Sequence, residues 1–115
     1  MIGYDDREVA SLFDALADPT RRTVVQLLGV SARRAGELAE ATGMSGPAMS
    51  RHLRVLLQAG LIVDDRPAED ARIRLFRLRP EATAPLQTWL DGLKAHWDEQ
   101  LLSFKRHVEG RGRDG

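Results

Sequence analysis

Apolar residues recur at helical spacing near the start of the chain and predict two helices there. The first helix covers residues 6–17. Asp18 and Pro19 then supply an N-cap and a first-turn proline for a second helix that runs to about Gly29. The first helix has one apolar face, which consists of Val9, Leu12, Phe13 and Leu16. The second helix turns four apolar residues inward, namely Val24, Val25, Leu27 and Leu28.

Two further helices are predicted on either side of a short turn. One spans residues 35–42 and ends at Gly43, where a helix terminus favours a left-handed residue. Ser45 is a typical N-cap for the next helix, which continues to Ala59 and stops before Gly60. Its apolar stripe, which we expect to face the core, is Met49, Leu53 and Leu56.

The hydrophobic period changes after this helix. Residues 61–66 and 72–78 are short runs with β-branched and aromatic side chains, and they predict a β-hairpin connected by residues 67–71. After Pro80 a helical period returns and is sustained through Leu86, Leu90, Leu93, Trp97, Leu101, Phe104 and Val108. The predicted fold is mainly α with a small β-hairpin, in the order α-α-α-α-β-β-α, which describes a winged helix-turn-helix.

The length of 115 residues fits a single domain, expected over residues 1–110 with a flexible polar tail at 111–115. The chain has no cysteine, which excludes disulfides, thiolate metal sites and cysteine nucleophiles. No apolar run approaches the roughly 18 residues of a membrane span. The first residues lack the basic and apolar regions of a signal peptide, so we expect a cytoplasmic protein.

The formal net charge is zero, but the charges are unevenly distributed. Residues 1–20 carry −4, residues 21–79 carry +5 and residues 80–115 carry −1, and fifteen of the seventeen basic residues are arginines. Arginine has the planar fork that suits phosphates and guanine edges. A basic middle segment indicates one surface that faces an anion, although high-GC coding also favours arginine over lysine.

The fourth predicted helix carries the strongest functional signal. With its apolar stripe in the core, the opposite face presents Pro47, Ser50, Arg51, Arg54 and Gln58, and no acidic residue occurs between positions 41 and 63. A face without carboxylates is what close approach to DNA phosphates requires. Arg51 or Arg54 could bind a guanine edge and Ser50 several bases, while Ser45 and the free amides at the helix start could hold a phosphate. The alternative is an ordinary solvated face.

Neighbouring residues complete the expected DNA surface. His52 lies at the edge of the core face and is interpreted as a packing and phosphate-contacting residue. It cannot pair with Ser50 for catalysis, because residues two apart on a helix diverge. On the predicted wing, alternation puts Arg72 and Arg74 on one face and Arg77 on the other, so periodicity does not identify the face that meets DNA. Acidic residues at the tip favour contact through the flanks of the wing.

Three segments carry a resemblance to a known family: ALADPTRRTVVQLL (15–28), GELAEATGMSGPAMSRHLRVLLQAGLI (36–62) and RIRLFRLRPE (72–81). Together they resemble the ArsR family of bacterial winged-helix transcriptional regulators, in particular its metal-independent members. The resemblance implies a homodimeric repressor that binds a roughly palindromic operator, often in its own promoter. It assigns DNA contacts to Ser45, Ser50, Arg51, His52, Arg54, Arg72 and Arg74. Gly46 departs from the family, which commonly has a polar residue there.

His96 and His107 are the residues that suggest a metal site. They lie three turns apart on one face of the last helix, but Lys94 and Gly110 occupy positions where the family's metal-binding members carry carboxylates. We therefore expect no metal and no other cofactor, and no motif indicates an enzyme. Two alternatives to a DNA-binding repressor remain: a metal-responsive sensor that uses these histidines, and a winged-helix module that binds protein instead of DNA.

The long apolar stripe of the last helix exceeds what four short helices can cover. We expect it to form a homodimer interface together with part of the first helix. The predicted interface residues are Val9, Leu12, Phe13, Leu86, Leu90, Leu93, Trp97, Leu101 and Phe104.

Overall fold

The computed structural model describes residues 6–66, 69–70 and 72–114, and the side chains of these up to residue 110. Five helices and three short strands occur in these ranges: α1 (Asp6–Leu16), α2 (Pro19–Val30), β1 (Arg33–Arg34), α3 (Ala35–Thr42), α4 (Gly46–Gln58), β2 (Ile62–Asp65), β3 (Leu75–Leu78) and α5 (Ala84–Asp114). The mainly helical winged fold is confirmed. None of the described helices is long and apolar enough to cross a membrane.

Local capping fixes the helix boundaries as predicted. The Asp18 side chain accepts a hydrogen bond from Arg21 N at 3.1 Å, which lowers the pKa of that carboxyl group, and Pro19 begins α2. Gly43 ends α3 at φ 68°, and Gly60 follows α4 at φ 77°, both in the left-handed region that L side chains rarely adopt. Ser45 Oγ accepts from Ala48 N at 3.2 Å at the start of α4.

The sheet differs from the predicted hairpin. It has three antiparallel strands in the order β1-β3-β2, because Arg33 and Arg34 pair with Phe76 and Leu75 of the wing. The order of helices and strands along the chain is therefore α-α-β-α-α-β-β-α. It includes one strand, β1, that the sequence pattern does not reveal. The second wing strand begins at Leu75, three residues later than predicted, and Pro67, Ala68 and Ala71 of the predicted connection lie outside the described residues.

A single core lies where α1–α4 meet the base of the wing. Met49, Leu53 and Leu56 of α4 are each at most 2% exposed, as the apolar stripe predicts. They pack with buried residues of α1, α2, α3, both wing strands and the segments beside the strands: Leu12, Ala15, Val24, Leu28, Leu38, Ala39, Leu61, Ile62, Phe76 and Ala82. The burial of one face of α4 leaves its opposite face in solvent.

Two residues predicted at a dimer interface belong to the interior of the single chain. Val9 is 5% and Leu12 is 1% exposed, so neither offers appreciable surface to a second protomer. The sequence pattern predicts a single apolar face on α1, but the residues of this face have different environments in the structure. Val9 and Leu12 turn inward, whereas Phe13 remains 45% exposed and its ring lies edge-on to Trp89 of α5, with 5.3 Å between the ring centroids.

Helix α5 extends far beyond the rest of the domain. Its 31 residues correspond to about 46 Å of helix, and only its first turns reach the core through Leu86. The radius of gyration is 20.7 Å, whereas a compact chain of this length has about 13 Å. The helix continues to Asp114, so the backbone of residues 111–114 is helical where the sequence suggests a flexible tail.

Substitution of Leu53 tests whether the buried stripe of α4 holds the domain together. We expect Leu53→Ala to lower the free energy of unfolding by about 2–5 kcal/mol, because it leaves a cavity in a closed core. Arg51→Ala, two residues away on the exposed face, should change it by at most about 0.5 kcal/mol. Urea unfolding followed by circular dichroism measures both values, and equal losses would contradict this orientation of α4.

Candidate nucleic-acid interface

The outward face of α4 is a polar surface without carboxylates. Its five predicted members are all exposed: Pro47, Ser50, Arg51, Arg54 and Gln58. Among the described residues, neither Arg51 nor Arg54 forms an ion pair or a side-chain hydrogen bond. Both guanidinium groups are therefore available to an external anion without the loss of an internal contact.

The first turn of α4 offers further donors to an anion. Ser45 Oγ already accepts from Ala48 N, but its hydroxyl proton is free to donate. Helix amides in a first turn have no acceptor within the helix, and the helix dipole adds positive potential there. Together with the two arginines of the outward face, this end of α4 forms a continuous surface that favours phosphate oxygens.

The wing is also rich in arginine, but its charges are internally neutralised. Arg74 Nε donates to Asp64 Oδ2 at 2.6 Å, and Arg72 binds both carboxylate oxygens of Asp70 at 3.0 and 3.2 Å. The bond from Arg74 lowers the pKa of Asp64, and the bonds from Arg72 lower that of Asp70. Two predicted DNA-binding arginines thus have carboxylate partners within the wing.

Both faces of the wing carry such pairs. The strand register sets Asp64 opposite Phe76 and Asp65 opposite Leu75, so each carboxylate meets an arginine diagonally across the strands. Asp64 pairs with Arg74 on the face of buried Phe76, and Asp65 pairs with Arg77 on the other face. Beyond the end of β3, Nε of Arg79 lies 3.8 Å from Oε2 of Glu81.

A cleft of about 340 Å³ separates α4 from the wing. Phe76 and two leucines of α4 form its apolar floor, and the guanidinium carbon of Arg74 lies 4.8 Å above the centre of the Phe76 ring. This stacking holds Arg74 at the rim, across the cleft from Arg54 and Ser50 of the outward face. Of the two predicted wing residues, Arg74 therefore lies beside the outward face of α4, whereas Arg72 lies nearer the tip of the wing.

His52 is half-buried on the flank of α4 and contacts another helix. Its Nδ1 atom lies 3.3 Å from Nη1 of Arg21 in α2. The side chain therefore has the packing role expected from its position at the edge of the core face. The sequence pattern does not reveal the partner, because 31 positions separate the two residues.

Two arginines beside this surface were missed by the sequence interpretation. Arg33 and Arg34 form β1 and continue the sheet next to β3. Arg34 is exposed, and its charge contributes to the lowered pKa of Asp70 at the wing. The net positive charge of residues 21–79 was the available signal, but a two-residue strand has no periodicity that could place them.

His96 and His107 do not converge within one chain. Eleven helical residues separate them by about 16 Å along α5, and the carboxylate of nearby Asp98 binds Lys94 Nζ at 2.8 Å, which raises the pKa of that lysine. Among the described residues, no three histidine, aspartate or glutamate side chains are grouped so as to hold a metal ion. The donor set required for a zinc site is therefore not assembled by the described part of one chain.

The outer part of α5 exposes a large apolar surface. It continues from Leu90, at 48% exposure, to Trp97 at 58% and to Leu101 and Phe104 at 66% each. Leu86 and Leu93, also predicted at a dimer interface, are half-buried, and Leu86 packs against the core of its own chain. Leucine and aromatic side chains at this exposure form a patch of the kind that marks a protein–protein contact.

Comparison with known proteins agrees with this geometry. A family model described as a helix-turn-helix domain matches residues 16–65. The HTH-type transcriptional regulator Rv2034 of Mycobacterium tuberculosis is 38% identical over 102 residues, which cover 89% of this chain and 90% of that protein.

Two solved structures have the same fold over most of the chain. An ArsR-like transcriptional regulator from a Rhodococcus species superposes with a TM-score of 0.78 at 28% identity, over 90% of this chain and 93% of that one. A homodimeric winged helix-turn-helix DNA-binding domain from Mycobacterium bovis superposes with a TM-score of 0.60 at 31% identity, over 88% of this chain and 94% of that one. Since sequence and fold agree over nearly the whole length, the chain belongs to the ArsR family of winged helix-turn-helix transcriptional regulators.

Proposed function

We propose that this regulator binds double-stranded DNA as a homodimer, at a roughly palindromic operator in its own or a neighbouring promoter, and represses transcription there. The observation that carries the proposal is the outward face of α4, where Arg51 and Arg54 are exposed and no carboxylate competes for them. A helix about 10 Å wide fits the major groove of B-DNA. In the groove, Arg51 and Arg54 would read guanine edges, while Ser45 and the first-turn amides would hold a phosphate.

The wing has a secondary role in this proposal. Arg74 stands at the rim of the cleft beside α4 and is the wing residue best placed to reach a DNA strand that borders the groove. Arg72 lies nearer the tip and can contact the DNA backbone only after partial release from Asp70. Wing contacts of this kind orient the protein on DNA without reading its sequence.

The exposed stripe of α5 supports a homodimer. A second copy of α5 would cover Trp97, Leu101 and Phe104, which otherwise leave a continuous apolar surface in water. The solved domain from M. bovis is homodimeric, which supports the same assembly here. A two-fold axis would place two copies of α4 about one DNA turn apart, and this spacing accounts for a palindromic operator.

Repression follows most simply from occlusion of the promoter by the bound dimer, and family membership favours it. The proposed activity also places the protein in the cytoplasm, with the DNA. The metal-sensor alternative is less favoured, because His96 and His107 are separated along one helix. A module that binds only protein is less favoured, because it gives no reason for an arginine surface without acids.

Substitution of the α4 arginines tests the proposal directly. Arg51→Ala and Arg54→Ala are each expected to weaken operator binding by about 5- to 150-fold where the residue contacts a base, or to lower the salt slope by about one where it contacts a phosphate. Fluorescence anisotropy across a salt series, with DNA from upstream of the gene and a non-specific competitor, measures both effects. Arg106→Ala removes the same charge from α5 and should leave binding unchanged. Wild-type affinity in both α4 variants would instead favour the protein-interaction module.

A second test concerns the neutralised wing. Asp64→Asn releases Arg74 from its carboxylate, so we expect DNA affinity to rise on the order of tenfold and the salt slope to steepen by about one. Asp98→Asn makes the same charge change on α5 and serves as the matched control. If Asp64→Asn leaves both quantities unchanged, Arg74 does not contact DNA.

A third test concerns the dimer. Leu101→Glu places a charge in the exposed stripe of α5 and is expected to give a monomer in analytical ultracentrifugation, with at least about tenfold weaker operator binding because one half-site is lost. Ser103→Glu introduces the same charge on the other side of the helix and should leave the dimer intact. A monomeric wild-type protein, or an unchanged assembly in Leu101→Glu, would contradict this interface.

A further inference from the structure

The side chain of Arg21 connects three helices. Its Nε donates to the carbonyl oxygen of Ala15 at 2.7 Å and its Nη2 to that of Asp14 at 3.0 Å, both in the last turn of α1. Its Nη1 faces Nδ1 of His52 on α4 at 3.3 Å. Since Arg21 itself belongs to the first turn of α2, one guanidinium group fixes α1 and α2 against the flank of α4.

This contact determines which nitrogen of His52 carries the proton. A guanidinium group has N–H donors and no acceptor, so the nitrogen that faces it must be the one that accepts. In a neutral imidazole one nitrogen accepts and the other donates. With Nδ1 as the acceptor, His52 is held as the Nε2–H tautomer.

The Nε2 atom lies at the protein surface. No described residue accepts a hydrogen bond from it, and no buried side-chain nitrogen or oxygen in the described ranges lacks a partner, so Nε2 is in contact with solvent. The helical period puts His52 on the flank of α4 between buried Leu53 and exposed Arg51. When the outward face of a recognition helix enters the major groove, its flank lies beside a sugar–phosphate strand.

We propose that Arg21 is a positioning residue for DNA binding, which presents His52 Nε2–H as an oriented donor to a DNA phosphate. This inference rests on the proposed function and assigns a role to a residue that does not itself touch DNA. A donor with a preset tautomer and orientation loses less freedom when it binds than a mobile side chain does. The same guanidinium also keeps Nδ1 occupied, so the ring cannot turn this nitrogen to the phosphate without breaking a bond.

The chain supplies a matched control in the next residue. Arg22 Nη1 donates to the carbonyl oxygens of Leu16 at 2.8 Å and Ala17 at 3.0 Å, so it also holds the end of α1, but its hydrogen bonds do not extend to α4. Lysine keeps the charge of arginine but lacks the planar fork that bridges several acceptors. Arg21→Lys and Arg22→Lys therefore make the same chemical change, and only the first removes support from His52.

The first experiment determines the tautomer of His52 in the absence of DNA. Nitrogen-15 NMR of the full chain at pH 8 distinguishes a protonated from an unprotonated imidazole nitrogen, and the exposed His96 and His107 of α5 provide internal references. We expect His52 to be wholly Nε2–H in the wild type and in Arg22→Lys, and to give averaged nitrogen shifts in Arg21→Lys. A wild-type His52 that carries its proton on Nδ1, or that already averages the two forms, overturns the proposal.

The second experiment measures operator binding by the same variants, after thermal unfolding has established that each is folded. Arg21→Lys should weaken binding by about tenfold, Arg22→Lys by less than about twofold. His52→Asn, which has no group near the Nε2 position, should lose as much as Arg21→Lys. His52→Gln, whose amide nitrogen reaches that position, should recover most of the loss.

Coupling between the two residues separates positioning from a general structural effect. The double variant Arg21→Lys/His52→Asn should bind no more weakly than His52→Asn alone, since both changes remove the same contact. Additive losses, or equal losses in Arg21→Lys and Arg22→Lys, overturn the positioning role. A wild-type protein that binds no DNA site overturns the proposed function instead, and the NMR measurement still decides whether Arg21 fixes the tautomer.

Discussion

The burial of one face of α4 orients this helix within the domain. Met49, Leu53 and Leu56 enter a core to which α1, α2, α3 and both wing strands contribute, and against which the start of α5 packs through Leu86. Because a helix has a fixed period, sealing these three side chains from water also fixes what α4 presents outward. The arginine surface is therefore a consequence of packing, and its orientation is as stable as the core beneath it.

Polar contacts define the orientation of α4 more narrowly than the apolar core does. Arg21 donates to two carbonyl oxygens at the end of α1, where the last carbonyl groups of a helix have no N–H donors within the helix, and it reaches the flank of α4 at the same time. Asp18 and Ser45 cap the helices on which these contacts lie. Hydrophobic packing alone permits small rotations of α4, whereas these directional bonds select one orientation.

Charge divides the candidate DNA surface into two parts. The arginines of α4 have no competing carboxylate, whereas Arg72, Arg74 and Arg77 of the wing are each held by an aspartate. Exposed ion pairs contribute little to stability, so their main effect here is to lower the attraction of the wing for any polyanion. An ArsR-family regulator built in this way would depend on its recognition helix, more than on general electrostatic attraction, to remain on DNA.

Elements whose cause is local follow from the amino-acid sequence alone. Helical periodicity, the caps at Asp18 and Ser45 and the terminating glycines are interactions within a few residues of each other, and they fixed α1–α4 and the two sides of α4 without a structure. The arginine-rich, acid-free face also follows from periodicity alone. Contacts between residues that are distant along the chain become visible only in the folded structure. The pairing of Arg33 and Arg34 with β3, the ion pairs of Arg74 and Arg77 across the wing strands and the contact between Arg21 and His52 join positions 10 to 43 apart along the chain, where no periodic pattern operates. The inward turn of Val9 and Leu12 has the same origin, because a single apolar face on a helix does not reveal whether its partner is the same chain or a second one.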